Sequence, residues 1–120
     1  MTPRQLQNHI VAALEEIKGR DIAVFPVDHL TALFDYVILC SAESTRQVKA
    51  LARNVHEQLA ERGVKPIGIE GEQSGEWVLV DFGSVVVHVM QPAIRSYYNL
   101  EELWNRPKPR RTRKAAAAAA

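Results

Sequence analysis

The chain has 120 residues, a hydrophobic content of 47%, a charged content of 24% and a single cysteine. That length holds one domain around one hydrophobic core and no more. The lone Cys40 excludes an internal disulfide and fits a reducing compartment. No run has the apolar length of a secretory signal or a bilayer span, so a cytoplasmic protein with no membrane segment is expected.

Charge is unevenly spread behind a formal net value of +1. Residues 1–105 set fourteen acidic groups against nine basic ones and sum to −5, whereas RPKPRRTRK at 106–114 carries +6. A block of that kind cannot bury a core and is expected to be disordered when free. It attracts phosphate by counterion release, whatever the base sequence. Residues 115–120 are alanine and carry no chemistry. The expected division is a folded domain over 1–105 and a basic, low-complexity tail over 106–120. An acidic domain with a basic arm suits a partner containing both protein and nucleic acid; a merely solvated tail is the alternative.

In chain order, Thr2, Pro3 and Gln5 form a capping-box start for a first helix. Leu6, Ile10, Ala13, Leu14 and Ile17 recur at helical spacing, and Gly19 is the expected stop. Residues 21–27 predict a short strand, with Pro26 favouring an edge. An irregular connection over 29–34 leads to 35–40, whose unbroken apolar run marks a strand covered on both faces. Ser44 and Gln47 open a second helix with the stripe Val48, Leu51, Ala52, Val55 and Leu59, and Gly63 lies at its end. A third strand is predicted over 65–69, then a loop over 70–76. Residues 93–98 and 99–104 predict two short helical pieces. The pattern implies a single α/β (α+β) domain, with a mixed five-stranded sheet, two long helices packed on it and one sheet face partly open.

The segment GEWVLVDFGSVVVHVM, residues 75–90, reads as a hairpin with Gly83 and Ser84 in a type II′ turn. That register pairs Phe82 with Val85, Val80 with Val87 and Val78 with Val89 on one purely apolar face. The other face pairs Asp81 with Val86, Leu79 with His88 and Trp77 with Met90. Either this second face is simply core, or it is a semi-exposed docking surface. Burying Asp81 and His88 without partners costs several kcal/mol, which favours docking. Covering a fully exposed Trp removes roughly 150–250 Å², an upper estimate of ~4–6 kcal/mol.

Catalytic signatures are missing. His9, His29, His56, His88 and Cys40 lack metal-ligand spacing. Ser84, His88 and Asp81 do not suit a triad, because His88 faces Leu79 and Ser84 sits in a turn. No phosphate-binding loop or dinucleotide fingerprint occurs. Neither an enzyme nor a cofactor is therefore expected. Glu70, Glu72 and Glu76 form either a solvated loop or an acidic rim for a basic partner.

Several motifs occur in order: DYVI at 35–38, S-x-RQVKA at 44–50, GIEG at 68–71, GEWVLVDFG at 75–83, VVVHVM at 85–90 and R-x-YY-x-LE-x-LW at 95–104. Over about residues 5–104 the chain resembles the ribosomal silencing factor (Iojap/RsfS) family. The resemblance implies binding to the large ribosomal subunit through large-subunit ribosomal protein fourteen. It further implies steric exclusion of the small subunit, repression of translation when nutrients are scarce, and a role in large-subunit maturation. The implied fold is nucleotidyltransferase-like without that chemistry: Gly83-Ser84 resembles a glycine-serine turn, but no Asp-x-Asp pair follows. Homodimers are also implied, so self-association through the Trp77 patch is the rival reading, with a nucleotidyltransferase-derived enzyme behind it.

Carried over residue by residue, the ribosomal-protein contact falls on Trp77 and Tyr98, with Leu79, Asp81, His88, Met90 and Arg95 beside them. Packing at a helix end is the alternative for Tyr98. Leu100, Leu103 and Trp104 would fold the last helix onto the domain. The tail lies outside the shared motifs. Its +6 charge suggests ribosomal RNA contact through Arg110, Arg111, Arg113 and Lys114.

Overall fold

A computed structural model describes residues 1–104; the expected tail over 106–120 lies outside the described residues. The elements in order are α1 (Pro3–Glu16), β1 (Arg20–Pro26), β2 (Tyr36–Ser41), α2 (Thr45–Ala60), β3 (Gly68–Glu70), β4 (Trp77–Asp81), β5 (Val85–Met90), α3 (Pro92–Tyr98) and α4 (Leu100–Trp104). One five-stranded sheet runs in the order β1-β2-β5-β4-β3. Strands β2 and β5 are parallel and the other pairs antiparallel, so the sheet is mixed, as expected.

Local chemistry accounts for the helix starts. At α1 the Gln5 amide donates to Thr2 Oγ1 at 3.1 Å and Gln5 Oε1 accepts from the Thr2 amide at 2.9 Å, a complete capping box. At α2 only half the motif forms. Ser44 Oγ accepts from the Gln47 amide, but the Gln47 side chain donates instead to the Ile17 carbonyl at 2.8 Å, tying the two helices together.

Gly19 does not serve as the expected helix stop. Lys18 takes the left-handed position, with φ 65, one residue earlier. Gly19 is needed for closeness instead, because a Cβ there would collide with Cys40 Sγ on β2. Burial raises the Cys40 thiol to about 11, leaving a neutral, packed side chain. The third strand is also shorter and later than the predicted 65–69. It begins at Gly68, although the Ile67 amide already donates to the Asp81 carbonyl.

The two sheet faces are filled differently. On the first, α1 and α2 lay Leu6, Ile10, Leu14, Val48, Leu51, Val55 and Leu59 against Ile38, Cys40 and the six apolar hairpin residues Val78, Val80, Phe82, Val85, Val87 and Val89. On the second, a smaller cluster of Val27, Val37, Leu39, Met90 and Leu100 is flanked by Phe25, Phe34, Trp77, Ile94 and Trp104. Helices α3 and α4 contribute only Ile94, Leu100 and Trp104 to that cluster. Trp77, Leu79, Asp81 and His88, farther across β4 and β5, stay only partly buried.

Candidate docking site

The hairpin register follows the alternation read from the sequence: Trp77 opposes Met90, Leu79 opposes His88 and Asp81 opposes Val86. Gly83 holds φ 90 at the first turn position, a conformation that favours glycine, and the Phe82 amide donates to the Val85 carbonyl. Asp81 Oδ1 accepts from the Gly83 amide at 2.8 Å, so this carboxylate also braces the turn.

Trp77 and His88 are diagonal cross-strand neighbours and lock each other. The indole Nε1–H donates to His88 Nδ1 at 3.0 Å, with ring centroids 5.9 Å apart. Accepting at Nδ1 makes His88 the neutral tautomer protonated at Nε2. Burial lowers its pKa from 6.5 to about 4, so the neutral form prevails at pH 7. The buried-polar penalty that argued against a buried His88 is thus partly met within the fold.

The aromatic surface continues beyond the hairpin. The ring of Tyr98 lies 5.2 Å from the Trp77 indole, and Tyr97 meets Tyr98 edge-on at 4.9 Å. Tyr98 is 53% and Tyr97 81% exposed, so the row His88, Trp77, Tyr98, Tyr97 grades from covered to open. Trp77 is already half-buried, so a partner gains only a share of the full tryptophan area. Beside the row, a cavity of about 270 Å³ is lined by Glu70, Gly71, Trp77, Leu79 and His88. Gly71 adopts φ 87, and any Cβ there would strike the Trp77 carbonyl oxygen, so the acidic loop is seated directly on the tryptophan backbone. Glu70, Glu72 and Glu76 are all exposed, though only Glu70 lines the cavity.

Two expected contact residues are not on this surface. Met90 has no exposed area and belongs to the second core cluster, where Leu100 of α4 and Ile94 of α3 pack with it. Arg95 turns inward: its side chain is 10% exposed and pairs with Glu101. Tyr97 is the residue that sequence reasoning passed over. Its signal was two adjacent tyrosines on a helix too short to bury both. Among the described residues, no group of three or more His, Cys, Asp or Glu is placed to hold a metal ion, and no helix is long and apolar enough to cross a membrane.

The motifs that build this hairpin and the α3–α4 corner lie inside a family-wide match. The model of the family described as ribosomal silencing factor during starvation matches residues 1–120. The chain belongs to the ribosomal silencing factor family. A ribosomal silencing factor RsfS from Chromobacterium violaceum is 50% identical over 109 residues, covering 91% of this chain and 89% of that protein. A crystal structure of a protein from the same organism superposes with a TM-score of 0.86 at 50% identity, covering 92% of each chain. The mouse protein named mitochondrial assembly of ribosomal large subunit protein 1 is 36% identical over 98 residues, which is 79% of this chain and 43% of the longer relative. The family's α+β fold is therefore this chain's fold.

Proposed function

We propose that this protein is a ribosome-associated translational repressor that docks on the large ribosomal subunit and excludes the small subunit by its bulk. The partner is large-subunit ribosomal protein fourteen, and the contact is the row Trp77, Tyr98 and Tyr97 with Leu79 and the outer edge of His88. The carrying observation is that row: a partly buried Trp77 running into the exposed rings of Tyr98 and Tyr97, beside an acidic loop, on a part of the sheet where β4 and β5 side chains stay only partly covered. Rigid aromatics offer contact area at small entropic cost, which is what interface centres use. Glu70, Glu72, Glu76 and Asp81 supply the negative field that a basic ribosomal protein meets favourably.

The family name supports regulation at the ribosome in place of catalysis, and the mouse relative's name supports a maturation role on the same subunit. Such work places the protein in the cytoplasm. The tail over 106–120 adds ribosomal RNA contact through Arg110, Arg111, Arg113 and Lys114.

The test mixes the protein with isolated large subunits, adds small subunits and reads coupled ribosomes on a gradient. Wild type is expected to travel with the large subunit and reduce coupling, while folded Trp77→Ala and Tyr98→Ala do neither. Unimpaired coupling at saturating wild-type protein would refute the exclusion mechanism. A wild type that only self-associates would favour the dimer reading.

A further inference from the structure

Helix α3 is fastened to the domain by a charge. Its sole buried residue is Arg95, it has no side-chain cap at its start, and Ile94 adds only partial apolar contact. The guanidinium of Arg95 makes four hydrogen bonds. Nη1 donates to the Asp21 carbonyl at 2.7 Å and to Ser41 Oγ at 2.9 Å, while Nε and Nη2 donate to the two Glu101 carboxylate oxygens at 3.2 and 3.3 Å. These bonds reach β1, the end of β2 and α4 from one side chain.

The acceptors are shaped for it. Asp21 holds φ 49 inside the register shift of β1 between Arg20 and Ala23, where ladder pairing is interrupted. Asn99, in the left-handed region at φ 50, folds α4 back so that Glu101 meets Arg95 in fork geometry. Tyr98 follows Arg95 by less than one helical turn, just before that corner.

We infer that Arg95 is a positioning residue for Tyr98: its guanidinium fixes the α3–α4 corner and thereby sets the tyrosine ring against Trp77. The inference rests on the docking role proposed for that ring pair. It assigns Arg95 no contact with the ribosomal partner; the residue acts entirely through Tyr98. A lysine cannot reproduce the fork, and a methionine leaves Asp21, Ser41 and Glu101 without their shared donor.

The experiment compares wild type, Arg95→Met, Arg95→Lys, Tyr98→Ala and the Arg95→Met/Tyr98→Ala pair. Readouts are urea unfolding, near-ultraviolet circular dichroism of the aromatic pair, and affinity for isolated large ribosomal subunits. Arg95→Met is expected to lose the aromatic signal that Tyr98→Ala also loses and to weaken binding about tenfold. In the Tyr98→Ala background the same change should add less than about twofold, and Arg95→Lys should restore part of both readouts. Should Arg95→Met fail to fold, Glu101→Gln loosens the same fork from a half-exposed position and must show the same pattern at smaller size.

A full loss from Arg95→Met on top of Tyr98→Ala, or lost affinity with an unchanged aromatic signal, would overturn the inference and make Arg95 a direct contact. Unchanged affinity and signal would overturn it as well. If wild type does not bind large subunits, the docking proposal fails, yet the aromatic signal alone still decides whether Arg95 sets the ring pair.

Discussion

The two faces of the sheet were built to different specifications. The face under α1 and α2 is apolar throughout, and Ile10, Leu14, Leu51 and Leu59 are fully buried on it. The opposite face is closed over Val37, Leu39 and Met90 by two helices of seven and five residues, and is left part-open over Trp77, Leu79 and His88. Where stability is made, the side chains are almost all hydrocarbon, and the buried Cys40 thiol donates to the Ser41 carbonyl. Where recognition is proposed, polar groups are paired within the fold, as Trp77 is with His88, so that rings can stay at the surface without an unsatisfied partner beneath them. The second face is thus organised before any partner arrives, which reduces the ordering cost of docking.

Substitution separates the faces most sharply. Leu51→Ala, on the first face, should cost about 2–5 kcal/mol of stability in urea unfolding, whereas Leu79→Ala should cost under ~1.5 kcal/mol because Leu79 is only partly buried and loses less apolar contact. Equal costs would erase the distinction.

Acid should strike the second face selectively. Folded His88 stays neutral down to about pH 4, while the unfolded chain takes up a proton near 6.5. The unfolded state therefore binds more protons in that window, and stability falls as pH drops from 6.5 towards 4. The full effect is on the order of 3 kcal/mol, and His88→Gln should remove that part of the slope in unfolding measured at pH 7 and pH 4.5. An unaltered slope would mean that His88 is not held neutral.

Recognition should fail with smaller energies. Trp77→Ala is expected to weaken large-subunit binding about 30-fold, roughly 2 kcal/mol, as measured by co-sedimentation. Deleting 106–114 should weaken it only about threefold to tenfold at low salt, with the difference shrinking at high salt. A deletion effect that ignores salt would count against phosphate contact by that segment.

The hairpin was legible residue by residue because a period-two alternation and one turn glycine determine both register and face. The first core was legible for a similar reason: α1 and α2 are long enough to show an apolar stripe. Met90 and Arg95 were not. Their burial depends on where α3 and α4 pack, and helices of seven and five residues carry no stripe that says so. Arg95 in particular finds its partners at Asp21, Ser41 and Glu101, spread over most of the chain and including a backbone carbonyl, a contact that no local spacing encodes. A glycine after an apolar stripe signals a helix end, yet at Gly19 it is close approach to Cys40, and not a left-handed turn, that requires the missing side chain. On the candidate site, the rings of Trp77 and Tyr98 were named from the resemblance, but the hydrogen bond that orients Trp77 needed the hairpin to be closed.

The most direct measurement places a photo-crosslinking phenylalanine analogue at Tyr97, which is 81% exposed, and a second probe at the exposed Arg62, next to the α1–α2 surface. Each labelled protein is bound to large ribosomal subunits, irradiated and digested for mass spectrometry. The probe at 97 is expected to join large-subunit ribosomal protein fourteen, and the probe at 62 is not. Crosslinks to that protein from 62 but not from 97 would contradict this and move the interface to the helical face.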